Sequence, residues 1–237
     1  MVETTEQATP TVAVGKAQRP GTEPPCADGV DVQRHGARVY AAVVDGAGHH
    51  PDVVRYAAIT PPVITHIAAA MGGLPALMTA GQMAVVYDRP PHASAVCACV
   101  EPGEPTSVHW IGDCRAYGWD GTALTQWSTD QTMGEWLRWN GGVAVELAAK
   151  HDNWSRLGLA QATAATCRQV QIPPEVRVVL LVSDGISDQV APAVWAELCS
   201  KHEGKPQALA DALVAAAEQD ESGYRDDATV VVLMVTG

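Results

Sequence analysis

Hydrophobic and polar positions repeat with two periods along this chain. Short apolar runs read as buried strands: RVYAAVV (38–44), SAVCACV (94–100), SVHWI (107–111), VRVVLLV (176–182) and TVVVLMV (229–235), with TVAVG (11–15) as a first, shorter one. A Glu-Pro-Gly-Glu-Pro turn joins 94–100 to 107–111 as a hairpin. RAYGWDGTALTQW (115–127) forms another, turning at Asp120-Gly121. Helical spacing governs 52–86, where Val63, Ile64, Ile67, Ala68 and Met71 share a face, with breaks expected at Pro61-Pro62 and Gly72-Gly73. Residues 132–160 are partly helical, with a break at Gly141-Gly142, and Trp136 and Trp139 on one face read as core or lid packing. Two helices are expected over 191–219, one of them marked by Ala208, Leu209, Ala212, Leu213 and Ala216. Residues 16–36 are rich in glycine, proline and charge and read as a loop carrying Asp28 and Asp31. The polar residues 1–10 are expected to be disordered, and 11–237 to form a single domain. Strands, hairpins and two blocks of helix predict an α+β fold: a four-layer α-β-β-α sandwich of two antiparallel sheets flanked by helices.

Composition narrows the partners. The chain has 237 residues, 47% of them hydrophobic, enough for a substantial core. Its formal net charge of −12 repels nucleic acid and anionic membranes, so neither is an expected partner. No apolar stretch is long enough to span a bilayer, and the start MVETTEQATPTVAVG lacks the basic-then-apolar order of a signal peptide. Six scattered cysteines without a C-x-x-C suit reduced thiols, hence a cytoplasmic protein. Cys97 and Cys99 alternate along one strand and share a face, as a buried pair of small apolar residues.

The chemistry lies at the strand ends. Strand 38–44 runs into Asp45-Gly46, 107–111 into Gly112-Asp113 and 176–182 into Asp184-Gly185, while 229–235 starts after Asp226-Asp227. Packed strands can bring these ends to one rim. Carboxylates gathered there would repel and resist ionisation, and a divalent cation relieves both effects. Short Asp side chains on stiff strand ends suit Mg²⁺ or Mn²⁺, and the glycines would let backbone carbonyls approach as ligands. Against this stands the ordinary use of Asp-Gly as a turn, which loses force when the pattern recurs at four strand ends.

Four segments, in order, carry a resemblance. VVDGAGHH resembles the D-G-x-G-G segment of the metal-dependent protein phosphatases, the protein phosphatase 2C-like (PPM) family, bacterial type. HWIGDCRAYGWDGTALTQWSTDQT resembles their G-D-S-R-A-Y…D-G…L-T…D-H segment, LLVSDGISDQV their S-D-G-L-W-D, and RDDATVVVLMV their D-N-x-T-V-I-V-V ending. The match runs from about residue 11 to 236. The resemblance implies a serine/threonine protein phosphatase that hydrolyses phosphomonoesters with a water activated by two Mn²⁺ or Mg²⁺ ions. Carried over, Asp45 bridges the ions, Gly46 binds one through its carbonyl, and Asp184 and Asp226 hold the other. Asp28 supports the metal-bound waters, and Asp113 helps to hold a third, weaker ion. The implied partners are a phosphorylated protein substrate and the serine/threonine kinase that it opposes.

The N-terminal motif departs from the pattern. Cys26-Ala27-Asp28 stands for Asn-Glu-Asp, and Glu23 occupies the slot of a phosphate-gripping arginine. Arg19, nine residues before Asp28, is the candidate substitute for substrate binding, with a solvated surface arginine as the alternative. Ala47 takes the place of a proposed proton-donating histidine; His49 and His50 lie next to it. Cys114 replaces a serine and reads as a packed small residue. Asp130-Gln131 stands for Asp-His, and Ala93-Ser94-Ala95 for Gly-Thr-Thr. Two rival readings remain: a pseudophosphatase that binds a phosphoprotein or kinase without efficient turnover, and a small-molecule phosphomonoesterase on the same site.

Overall fold

The computed structural model describes residues 11–236; the expected disorder of 1–10 lies outside them. Two five-stranded antiparallel sheets stack face to face. One runs β1 (Thr11–Arg19), β10 (Ala228–Thr236), β9 (Val178–Val182), β6 (Arg115–Trp119), β7 (Leu124–Gln126). The other runs β2 (Asp28–His35), β3 (Arg38–Gly46), β4 (Ala93–Val100), β5 (Thr106–Ile111), β8 (Arg168–Ile172). Helices α1 (Pro51–Met71) and α2 (Gly73–Ala84) cover the β2–β8 sheet, and α6 (Pro192–Lys201) and α7 (Pro206–Ala216) cover the other. The short α3 (Met133–Asn140), α4 (Val145–Ala149) and α5 (Asp184–Ser187) lie in the connections. This is the expected four-layer sandwich.

The layers explain the unbroken apolar runs. In β3, Val39, Ala41 and Val43 face the core between the sheets, while Tyr40, Ala42 and Val44 face α1 and α2. In β10, Val231 and Leu233 point inward and Val230, Val232 and Met234 point to α6 and α7. A strand with apolar layers on both faces loses the alternation of a half-exposed one. Cys97 and Cys99 pack together toward the helices, as their spacing predicts.

Three expectations are corrected. Residues 16–36 are not one loop. β1 continues to Arg19 against β10, and Asp28 opens β2, paired with β3 along its whole length. Both are edge strands, and their outward polar residues disguise the period of two. Pro61-Pro62 does not break α1. Pro61 is buried against β2, where a Cβ on Gly29 would lie 2.0 Å from the Ala57 carbonyl oxygen. That carbonyl is the one Pro61 leaves without its helical donor. Close packing on β2 and β3 outweighs the roughly 3 kcal/mol cost of a mid-helix proline. Trp136 and Trp139 are not core residues: they are 42% and 77% exposed.

Candidate metal centre

The antiparallel register brings the aspartates to one rim. Asp28 at the start of β2 pairs with Asp45 near the end of β3, and Asp45 pairs with Ser94 in β4. The next strand, β5, ends at Ile111 and turns through Gly112-Asp113 at the same end. In the facing sheet, β9 ends at Val182, paired with Val230 two residues after the start of β10, so Asp184 and Asp226 flank that junction. The Ser183 amide donates to the Thr229 carbonyl at 3.1 Å, and the Thr229 amide donates to Ser183 Oγ at 3.0 Å, which locks it.

Asp45, Gly46, Asp113, Asp184 and Asp226 line one cleft of about 740 Å³, and Asp28 lies buried behind Asp45. The aspartates disturb one another. Burial, then the charges of Asp28 and Asp113, push the Asp45 carboxyl well above the usual carboxylate range. Burial, then Asp45, Asp113 and Asp226, do the same to Asp184, and the Asp45 and Asp184 carboxyls hydrogen-bond to each other. Asp28 is raised by burial, against the nearby Thr229 and Ser183 hydroxyls, which favour its ionised form. Asp28 Oδ2 is buried without a hydrogen-bond partner. Among the described residues, no Lys, Arg or His forms an ion pair with any of the five. Nor do three His, Cys, Asp or Glu side chains converge as a ready coordination sphere.

Neighbouring residues fix the rim. Ser94 Oγ donates to Asp113 Oδ1 at 2.5 Å and accepts from the Asp113 amide at 3.2 Å. Asp227, second of the Asp doublet, accepts from the amides of Gly21 at 2.6 Å and Ala27 at 2.7 Å, and so ties the segment before Asp28 to β10. Gly185 lies against Asp227, where a Cβ would come 2.1 Å from the Asp227 carbonyl oxygen, so this Asp-Gly step serves close packing. Gln131 accepts from the Gly112 amide at 2.8 Å, and Arg115 grips Asp130 and Asp188, so these residues brace the turn from outside. Cys114 is buried between the sheets, a packed small residue as expected.

Arg19 is the clear miss. It stands at the right end of β1, but its guanidinium turns to the outer layer and donates to the carbonyls of Val214, Ala215 and Ala217 at the end of α7. A cation at a helix C-terminus is favourably placed, so this arginine is structural. Among the neighbouring histidines, His50 caps α1, accepting from the Asp52 amide, whereas His49 lines the cleft with Nδ1 2.9 Å from the Pro25 carbonyl oxygen. The cleft also holds His92, whose buried Nε2 has no partner, and walls of Trp154 and Tyr224. A lone histidine in a loop gives no sequence signal; the Asp226-Asp227 doublet was the only visible sign of Asp227.

Comparison with solved structures decides the fold. Serine/threonine phosphatase Stp1 from Staphylococcus aureus superposes with a TM-score of 0.74 at 18% identity, covering 96% of both chains. The fold is that of the bacterial PPM phosphatases. The PPM Ser-Thr phosphatase MsPP from Mycobacterium smegmatis, in complex with cacodylate, gives 0.71 at 21% identity, over 94% of this chain and 99% of that one. The catalytic domain of the serine/threonine protein phosphatase PstP, in complex with two manganese ions, gives 0.70 at 21% identity, over 97% and 100%. Residues 124–236 match the family model described as Stage II sporulation protein E. No curated protein matches the chain. The PPM fold accounts for the strand-end aspartates sharing a rim, and no helix among the described residues is long and apolar enough to cross a membrane.

Proposed function

We propose that this protein is a metal-dependent serine/threonine protein phosphatase. The observation that carries the reading is the rim: five aspartates from both sheets, without a cationic partner, with Asp28, Asp45 and Asp184 raised by burial and by their neighbours' charge, on a PPM fold. An all-oxygen donor set suits Mn²⁺ or Mg²⁺. Asp45, Asp184, Asp226 and the Gly46 carbonyl would hold two ions, with Asp28 in support and Asp113 toward a weaker third. Bound there, the ions would supply an activated water and offset charge on the phosphoryl group.

The chain's own residues do the remaining work. Ser94 holds Asp113 in one orientation, and Asp227 holds the segment that delivers Asp28. His92 borders the cleft with a buried Nε2 that has no hydrogen-bond partner. Trp154 and Tyr224 wall the cleft and limit water beside the substrate. The test is hydrolysis of p-nitrophenyl phosphate and of a phosphothreonine peptide by the purified protein, with Mn²⁺ and with excess chelator. Turnover only with the metal is the expected result. Equal turnover in chelator defeats the reading.

One observation favours a second reading. No Lys or Arg lines the cleft, and Arg19 is committed elsewhere. A site without an arginine for phosphate fits a pseudophosphatase that binds a phosphoprotein or a kinase with little turnover. Binding of the phosphothreonine peptide without product in Mn²⁺ identifies that case.

A further inference from the structure

A second groove, of about 570 Å³, lies between α3, the segment Arg156–Leu157 and the start of β8. It shares a wall with the cleft. Asn153, Trp154 and Ser155 face the carboxylates, and the next two residues line the groove. Two exposed indoles, Trp136 and Trp139, stand along it. Two arginines, Arg156 and Arg168, also line it, and neither side chain has a hydrogen-bond or ion-pair partner among the described residues. The groove's two carboxylates are both taken: Asp130 is held by Arg115, and Glu135 by Arg138 and the Trp139 indole at 2.6 Å. The unspent charge of the groove is therefore positive, on a chain whose net charge is −12. β8, which carries Arg168, is the edge strand of its sheet, so an extended segment can lie beside it.

We propose that this groove docks an acidic, extended segment of the protein substrate, outside the catalytic cleft. The inference deepens the phosphatase reading and rests on it for the word substrate. Guanidinium groups supply charge-assisted hydrogen bonds to carboxylates, and flat indoles supply contact area at low entropic cost. Two arginines in one short groove match a few carboxylates rather than the long, regular charge of a nucleic acid.

Two measurements test it. In the first, phosphothreonine peptides flanked by glutamates or by glutamines are compared under Mn²⁺. The acidic peptide should show a KM about tenfold lower, the worth of one or two charge-assisted contacts. Arg156→Glu with Arg168→Glu should erase that difference and leave kcat and p-nitrophenyl phosphate hydrolysis unchanged. In the second, the same glutamate peptide without phosphate should change the tryptophan fluorescence. The change should weaken with salt and disappear in Trp139→Leu. Equal KM values for the two peptides in an active wild-type protein, an unresponsive fluorescence, or tighter binding of oligothymidylate than of the peptide would each overturn the proposal. Absence of p-nitrophenyl phosphate hydrolysis would instead sink the phosphatase reading, and the fluorescence arm would still decide whether the groove docks acidic peptide.

Discussion

Asp45→Asn tests the rim most directly, because it separates folding from chemistry. Asp45 faces Asp184, and burial, Asp28 and Asp113 all hold its carboxyl above the ordinary range. A carboxyl raised in the folded state contributes its stability in full below the unfolded value. That contribution is lost as pH rises through the folded value. The metal-free protein should therefore lose stability from about pH 4 upward, where unfolded carboxyls ionise freely. Asparagine keeps the shape and never ionises. At about pH 8 in chelator the variant should melt above wild type, and the margin should shrink toward about pH 5. Two like charges about 4 Å apart repel by about 4 kcal/mol at an effective dielectric of about 20, so relief of one such pair gives the order of the gain, with relief of burial adding to it.

Divalent metal reverses the order. Mn²⁺ at about a hundred times its dissociation constant should stabilise wild type by about 2.7 kcal/mol, which for a chain of this size is roughly 5–11 °C in Tm. The variant, without the Asp45 carboxylate, should gain less than about 2 °C. Its kcat should fall by about a hundredfold or more, about 2.7 kcal/mol of transition-state stabilisation. Thermal melts with chelator and with Mn²⁺ at the two pH values, beside p-nitrophenyl phosphate turnover, measure all three effects. A variant that gains the wild-type Mn²⁺ stabilisation, or retains wild-type activity, would refute the assignment of Asp45 to the metal centre.

Asp113→Ala should lower turnover and leave two tightly bound ions, counted by metal analysis after desalting; loss of both tight ions would reject a third-ion role. Arg19→Ala should leave KM for a phosphopeptide unchanged and cost about 1.5 kcal/mol through the carbonyls at the end of α7, roughly 3–6 °C in Tm. A raised KM with an unchanged Tm would show that the guanidinium serves phosphate. Gly185→Ala should cost about 3 kcal/mol or more, because its Cβ meets backbone rather than a side chain that can move. A chemical denaturation midpoint equal to wild type would contradict that packing.

The strands that build the rim were legible because both their faces are buried. β3, β4, β9 and β10 appear as unbroken apolar runs, and the Asp residues that end or precede them stand out against those runs. Edge strands were not legible. DGVDVQRH does alternate, with Val30 and Val32 turned to the core, but its charges and the neighbouring glycines and prolines read as a loop. The β8 segment RQVQI left still less trace, having only two apolar residues. Proline misled in the opposite direction, because Pro61 is judged by local propensity while its place depends on Gly29, 32 residues away in the chain. The site followed the same division. Aspartates on stiff strand ends were found in sequence. Arg19 was misplaced because a one-dimensional distance from Asp28 says nothing of which layer a side chain enters.

That last error bears on what the cleft can bind. If the proposed phosphatase reading holds, the cleft would have to hold a phosphoryl group that carries up to two negative charges against five aspartates. Without Lys or Arg in the lining, cations at the rim must offset both sets of charge. Substrate affinity in the cleft should therefore depend more steeply on divalent metal than it would with an arginine contributing a fixed positive charge. Neutral hydrogen-bond donors add direction but little charge. Discrimination between substrates then falls to surfaces outside the cleft, and the groove behind Ser155 is where the chain keeps two arginines unspent. On the proposed reading, the carboxylates would serve catalysis and the two arginines recognition, from opposite sides of one wall. Such a separation would let a strongly acidic protein gather carboxylates for metal and still present a positive surface to an acidic partner.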